Sequence, residues 1–190
     1  NQYFLNLKTE ATIPLDRFQT VMNRSLPPDI ALISCKEVPL SFHARYDCVG
    51  KEYLYIIDNG PGKNPFFSDF ALYYDRPLQV EALEQAAQAL VGTHDFTALC
   101  SPNGKDGSNV RTISYIHLWR EGDMVYLKVK ADGFLYHMVR IIVGTLLFMN
   151  EGKIPLDAMG SILLKRDRRL AGKTAPPQGL YLNQVEYGEG

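Results

Sequence analysis

One full positive charge, Arg140, lies in an otherwise apolar stretch, FLYHMVRIIVG, at residues 134–144. An arginine keeps its proton, so a buried guanidinium needs an anion and hydrogen-bond acceptors around it. Arg140 is therefore one of two things. It is a structural arginine that reaches the surface or pairs with a core carboxylate, or it is directed at a catalytic carboxylate or a phosphate. Spacing alone favours the structural interpretation.

A second set of polar and aromatic residues lies in the segment FHARYDCVGKEYLYII, at residues 42–57. It contains Arg45, Lys51, Tyr53 and Tyr55. In a strand, Tyr53 and Tyr55 share a face because side chains alternate with a period of two. Two core tyrosines would give the same pattern. An aromatic face beside an arginine also suits an extruded nucleobase, which is held by stacking and charge. Both interpretations stay open.

The third feature is a cluster of cations in the segment LKRDRRLAGK, at residues 164–173. The five cations are Lys165, Arg166, Arg168, Arg169 and Lys173. A solvated helix end has this composition because cations are favoured near a helix C-terminus. A local phosphate-binding patch has it too. Composition alone favours the solvated helix end.

Bulk properties narrow the class of protein. The chain has 190 residues, 46% of them hydrophobic, and a net charge of −1, which suits one sizeable domain or two small ones sharing a sheet. The sequence has no pattern of a secretory signal, and the apolar residues 134–149 are too few to span a bilayer comfortably. Cys35, Cys48 and Cys100 indicate reduced thiols of a cytoplasmic protein. No cofactor or metal-ligand motif is present, so we expect neither.

Local patterns predict an α+β fold, with helices on one face of a mixed, mainly antiparallel sheet. Apolar spacing and turn residues predict the elements. Predicted helices cover residues 14–27, 80–92, 134–149 and 155–167. Predicted strands cover residues 2–8, 29–38, 51–58 and 179–187, with a hairpin over 111–132 that turns at 121–123.

Six motifs then occur in a fixed order: FHARY, KEYLYII, GTHDFTAL, VRTI, ADGFLYHMVRIIVG and AGKTAPPQGLYL. With them the chain resembles the tRNA pseudouridine synthase A (TruA) family over essentially its whole length. The last two motifs are highly specific. The resemblance implies an isomerase that converts uridine to pseudouridine in the tRNA anticodon stem-loop, around positions 38 to 40 in tRNA numbering. It also implies a cytoplasmic homodimer that needs no cofactor and no metal.

The implied fold consists of two ferredoxin-like halves with a cleft between them. Residues 1–50 would be the remainder of an incomplete N-terminal half. Residues 51–190 would be the C-terminal half, which shares a continuous sheet with the first. In the implied reaction a flipped uridine loses its C1′–N1 bond. The freed uracil rotates and rejoins through C5, which then gives up its proton. An aspartate assists, by direct attack or by generating a glycal.

The resemblance also assigns residues. Tyr53 matches the family's active-site tyrosine, Arg140 its active-site arginine, Leu180 an apolar position near the base, and Arg45 a position near the RNA backbone. We expect Arg140, Tyr53 and Leu180 to converge in one cleft. We also expect a positive, tRNA-binding surface near this cleft, formed by Arg45, Lys105, Lys165, Arg166, Arg168, Arg169 and Lys173.

The family's catalytic aspartate lies in an R-T-D-x-G-V-H stretch, for which these 190 residues have no match. Asp47 and Asp167 lie in segments that match other parts of the family. We therefore expect a chain truncated before or within that motif, inactive alone, in which Arg140 has lost its partner. Two alternatives stay open. One is a non-catalytic RNA-binding or dimerisation module, and the other is a structural α+β domain without an RNA partner.

Overall fold

The computed structural model describes residues 3–102 and 107–188, and they form two compact units. The smaller unit is Phe4–Asp47, and the larger comprises the described residues from Cys48 onward, with Tyr3. The division falls between Asp47 and Cys48, close to residue 50. That the units correspond to two halves of a shared sheet stays a prediction.

The smaller unit contains one helix, α1 (Leu15–Ser25), as its apolar spacing predicts. The sequence also predicts strands at residues 2–8 and 29–38, but the described parts of these segments form none. A strand needs a neighbouring strand to satisfy its backbone groups. Around residue 32 the partners are side chains of α1 instead. Asn23 binds both the amide and the carbonyl of Leu32, at 2.7 and 3.0 Å.

The larger unit holds the sheet and the remaining helices among the described residues. Its strands are β1 (Cys48–Asp58), β2 (Leu72–Tyr73), β3 (Gly92–Asp95), β4 (Val110–Glu121), β5 (Met124–Ala131) and β6 (Leu180–Tyr187). Its helices are α2 (Val80–Ala87), α3 (Met138–Asn150) and α4 (Met159–Lys165). Short 3₁₀ turns lie at Pro65–Phe67, Gln88–Leu90, Thr97–Leu99 and Arg168–Leu170.

The sheet has the order β2-β1-β5-β4-β3, and β6 pairs with β1. The pair β1–β2 is parallel, and all the other pairs are antiparallel. The predicted hairpin is formed by β4 and β5 and turns at Gly122, whose φ of 57° suits a glycine. The predicted α+β class with a mixed, mainly antiparallel sheet is therefore confirmed.

The core lies between one face of this sheet and α3. Nine of the thirteen residues of α3 are buried, so the helix is covered on most of its circumference. Alternate residues of the central strands complete this core, among them Tyr55 and Ile57 of β1 and Leu127 and Val129 of β5. The intervening residues of these strands are mostly half-exposed on the opposite face.

Helix α3 begins later than its apolar pattern predicts. The sequence predicts a helix from residue 134, but α3 starts at Met138 because His137 has the left-handed φ of 61°. The His137 ring stacks on Tyr136 with a centroid distance of 3.7 Å, and its Nδ1 lies 3.2 Å from the hydroxyl of Ser101. Arg140 consequently lies in the first turn of a helix, and not in the middle of one.

Candidate active site

Strand β1 directs Tyr53 and Tyr55 to the face that bears α3. Tyr55 pairs with Leu180 of β6 across the sheet, and residues paired in this way share a face. Tyr55 is completely buried, whereas Tyr53 and Leu180 are half-buried and pack against the core. The structure therefore brings Tyr53 and Leu180 to one region. That they share one cleft with Arg140 stays a prediction.

The ring of Tyr53 has an aromatic neighbour that the sequence did not indicate. Phe134 packs edge-on against it, with a centroid distance of 5.0 Å and an interplanar angle of 83°. Edge-to-face packing of this kind is favourable. The sequence predicts that Phe134 belongs to the helix of residues 134–149. It lies instead in the segment that leads into α3, and this change of backbone places its ring against β1.

Arg140 is half-buried and is held by one residue of a distant segment. Its Nε donates to the carbonyl oxygen of Ala175 at 2.6 Å, and its own carbonyl accepts from the Ala175 amide at 3.0 Å. Among residues 3–102 and 107–188, no carboxylate lies within ion-pair distance of the guanidinium. The core-carboxylate interpretation of Arg140 is therefore not supported within the described chain.

Arg140 belongs to α3, the helix that packs on the face of the sheet to which Tyr53, Tyr55 and Leu180 also belong. Burial raises the pKa of the Tyr55 phenol, and the positive charge of Arg140 opposes this rise. The shared core places Arg140 and Tyr53 on the same side of the sheet, together with Leu180. That these three side chains hold a substrate stays a prediction.

A segment that we name the strap, residues 172–179, crosses this region. It approaches α3 so closely that both facing residues must be glycines. A Cβ on Gly144 would lie 1.7 Å from the carbonyl oxygen of Lys173, and one on Gly172 would lie 2.2 Å from that of Gly144. The Thr145 hydroxyl accepts from the Gly172 amide at 3.0 Å and donates to the Ile141 carbonyl at 2.7 Å.

The other end of the strap is bound to β1. The Tyr55 hydroxyl donates to the carbonyl of Pro176 at 2.7 Å, and the Ile56 amide donates to that of Gly179 at 2.9 Å. Gly179 also permits a close approach, since a Cβ there would lie 2.5 Å from the Ile56 oxygen. The specific motif AGKTAPPQGLYL is thus the segment that connects α3, β1 and β6.

The cationic segment is partly neutralised by its own neighbours. Arg166, which ends α4 with a left-handed φ of 53°, pairs with Asp95 at 3.2 Å. Arg169 donates to the Asp167 carboxylate through Nε at 3.0 Å and through Nη2 at 2.7 Å. Burial lowers the pKa of Arg168, which donates to the Ala171 carbonyl at 3.4 Å.

The remaining predicted cations fall into three groups. Lys165 and Lys173 are exposed and form no ion pair with any described residue. Arg45 belongs to the smaller unit, where its guanidinium lies 5.8 Å from the centre of the Tyr46 ring. Lys105 lies outside the described residues. The predicted positive surface is thus narrower than the count of cations indicates.

The two aspartates weighed from the sequence both have local roles. Asp47 accepts from the His43 amide at 2.7 Å, and Asp167 forms an ion pair with Arg169.

Within the part of the chain that the structure describes, no three His, Cys, Asp or Glu side chains cluster closely enough to hold a metal ion. None of the described helices is both long and apolar enough to cross a membrane.

Comparison with known proteins identifies the class. A family model described as tRNA pseudouridine synthase matches residues 86–188. The tRNA pseudouridine synthase A of Brevibacillus brevis is 43% identical over 183 residues, which cover 96% of this chain and 75% of that protein. The corresponding protein of Thermoanaerobacter sp. is 41% identical over 182 residues, with the same two coverages. The tRNA pseudouridine synthase A 2 of Clostridium tetani is 40% identical over 185 residues, covering 97% and 75%.

Fold and matches together define an isomerase that modifies tRNA. The chain belongs to the tRNA pseudouridine synthase family. The resemblance carried by the six sequence motifs is thereby confirmed.

Proposed function

We propose that this chain forms the base-binding side of an active site that isomerises a uridine of the tRNA anticodon stem-loop, around positions 38 to 40. One observation carries the proposal. Arg140 uses Nε to bind Ala175, and within the described residues its terminal nitrogens have no protein acceptor. These nitrogens present two parallel donors, the arrangement that binds a carboxylate with both oxygens.

In this proposal the base lies against Tyr53, with Leu180 as an apolar wall. Phe134 supports the Tyr53 ring from its edge and limits its rotation. Extruding a nucleotide costs a few kcal/mol, which stacking and phosphate contacts offset. Because the tyrosine face is already packed against the core, little side-chain freedom is lost when the base binds.

The carboxylate that faces Arg140 is the aspartate of the family's R-T-D-x-G-V-H stretch, which these 190 residues do not contain. A guanidinium beside it lowers the carboxyl pKa and keeps it ionised. The ionised carboxylate then assists cleavage of the C1′–N1 bond by one of two routes. In direct attack it forms an ester bond to C1′, which breaks when C5 of the rotated uracil attacks C1′. In the glycal route it takes the C2′ proton and returns it when C5 bonds to C1′. The rotated uracil bonds to C1′ through C5, and a base removes the C5 proton.

Incubation of the 190-residue chain with unmodified tRNA that carries tritium at C5 of uridine tests this assignment. We expect no tritium release, because no described carboxylate lies within ion-pair distance of Arg140. We expect release once a family R-T-D-x-G-V-H segment is fused ahead of residue 1; we call this protein the aspartate fusion. Release by the unfused chain that is lost in Asp47→Ala would show that the nucleophile has been misplaced. An inactive aspartate fusion that still binds tRNA would favour the non-catalytic RNA-binding module.

We further propose that Lys165, Lys173 and Arg168 contact tRNA phosphates, with a smaller share from Arg169. In the 190-residue chain, Lys165→Glu should weaken tRNA binding and lower the slope of affinity against salt by about one. Arg169→Glu should have a smaller effect because Asp167 already neutralises that charge. Lys63→Glu is the matched control, since Lys63 is an exposed lysine outside the segment. Equal binding by Lys165→Glu and Lys63→Glu would restore the solvated-helix interpretation.

The resemblance adds a cytoplasmic homodimer to this proposal. Cys35, Cys48 and Cys100 are all unbridged, which fits a reducing compartment. Sedimentation velocity on the aspartate fusion tests the assembly, and a monomer at micromolar concentration would contradict it.

A further inference from the structure

Among the residues that the structure describes, Tyr55 is the largest polar side chain that is fully enclosed in the core, and its hydroxyl has a defined acceptor. The residue has no exposed surface, and its hydroxyl donates to the carbonyl of Pro176 at 2.7 Å. A buried phenol normally finds such a partner. The identity of the acceptor is important because Pro176 directly follows Ala175, the residue that binds Arg140.

Two consecutive carbonyls of the strap are thus held from two sides. Arg140 Nε donates to the carbonyl oxygen of Ala175, and the Tyr55 hydroxyl donates to the carbonyl oxygen of Pro176. Neither Pro176 nor Pro177 has an amide hydrogen, so this part of the strap cannot be fixed by donating to a β-ladder. Proline also restricts its own φ and the backbone of Ala175 before it. Fixing the Pro176 oxygen therefore fixes the direction of the Ala175 oxygen.

The direction of the Ala175 oxygen determines the plane of the Arg140 guanidinium. The group is planar, so a bond at Nε orients the other four donors. The positive charge of Arg140 also opposes the burial-driven rise in the pKa of Tyr55, which is consistent with a short separation of the two groups.

We propose that Tyr55 is a positioning residue for Arg140, acting through the strap to aim the terminal guanidinium nitrogens at the catalytic carboxylate. Tyr55 touches neither the carboxylate nor the base in this arrangement. The effect of Tyr55 on catalysis rests on the proposed function. The two hydrogen bonds that link Tyr55 and Arg140 to the strap can be tested without any reaction.

The variant Tyr55→Phe keeps the ring and removes only the hydroxyl. In the 190-residue chain labelled with ¹⁵N-arginine, the Arg140 Nε–H signal is assigned by its loss in Arg140→Lys. We expect hydrogen exchange at this Nε–H to be at least tenfold faster in Tyr55→Phe, while the amides of β1 keep their protection. A purely structural role in the core would accelerate the β1 amides together with the arginine signal.

Tyr181→Phe is the matched control. Its hydroxyl donates to the Phe70 carbonyl at 2.6 Å, a bond of the same kind whose acceptor lies outside the strap. We expect the Arg140 signal to be unchanged in this variant. An Arg140 Nε–H equally protected in wild type and in folded Tyr55→Phe would overturn the inference and leave the proposed function untouched.

A second variant keeps the test decisive if Tyr55→Phe does not fold. Thr145→Val preserves shape but removes the acceptor of the Gly172 amide at the other end of the strap. We expect it to accelerate Arg140 Nε–H exchange as well, and an unchanged signal would overturn the inference.

In the aspartate fusion, Tyr55→Phe should lower kcat at least threefold with an unchanged KM for tRNA. If Tyr55→Phe accelerates hydrogen exchange at the Arg140 Nε–H but leaves kcat unchanged, the proposed catalytic role of Arg140 is contradicted. The positioning role of Tyr55 in catalysis is then contradicted as well.

Discussion

Gly144→Ala should lower the free energy of unfolding of the 190-residue chain by about 3 kcal/mol or more. The added Cβ would lie 1.7 Å from the backbone oxygen of Lys173, which no rotation of a side chain can relieve. Helix and strap must separate, and the bond from the Gly172 amide to Thr145 is then lost in a buried place. Urea denaturation followed by far-UV circular dichroism, with the slope of the transition checked for change, measures the effect.

Gly160→Ala is the matched control for this prediction. Gly160 lies in α4, and a Cβ there would meet no atom within 4 Å. Alanine is the better helix former by roughly 0.8–1 kcal/mol, so this variant should be equal to or more stable than the parent chain. If both glycine variants lost stability equally, the close approach of α3 and the strap would be wrong.

The hairpin shows how far sequence patterns reach. Its residues alternate over 111–132, the turn contains Gly122, and the structure places β4 and β5 on either side of it. Alternation and a short turn are local properties, so they can be recognised without tertiary information. The same holds for α1, whose apolar spacing and preceding Pro14 mark it correctly.

Elements that depend on distant partners could not be predicted in this way. The apolar pattern predicts that α3 starts at residue 134, because nothing in the pattern shows that His137 adopts a left-handed backbone. The segments 2–8 and 29–38 have strand-like composition, but a strand also requires a neighbour that composition does not supply. Both errors arise where tertiary contacts override local preference.

The candidate site likewise has features that the sequence indicates and features that only the structure shows. The resemblance assigns Tyr53, Arg140 and Leu180, and the structure packs Tyr53 and Leu180 against the same core as α3, the helix that carries Arg140. The partner that holds Arg140 is a carbonyl 35 residues away, which has no signature in the side-chain sequence. A count of cations likewise does not show that Arg166 is paired, because Asp95 lies far from it in the chain but at 3.2 Å in the fold.

Arg140→Lys in the aspartate fusion should lower kcat for pseudouridine formation by at least about 100-fold, the cost typical of losing a preorganised catalytic donor. Lysine keeps the charge but has no planar fork, so it cannot bind the Ala175 carbonyl and both carboxylate oxygens together. Tritium release under single-turnover conditions measures the chemical step. Arg120→Lys is the control, because Arg120 is exposed and binds Asn59.

Arg140→Met separates charge from geometry, because it removes the cation and keeps an unbranched side chain. Without a neighbouring cation the carboxyl pKa rises, so the acid limb of the rate profile should move to higher pH in Arg140→Met. The acid limb of the pH–rate profile should stay nearly at the same pH in Arg140→Lys, because lysine keeps the positive charge and lacks only the planar guanidinium. Full activity in Arg140→Lys would show that Arg140 supplies only charge. An unshifted acid limb in Arg140→Met would show that it does not face the catalytic carboxylate.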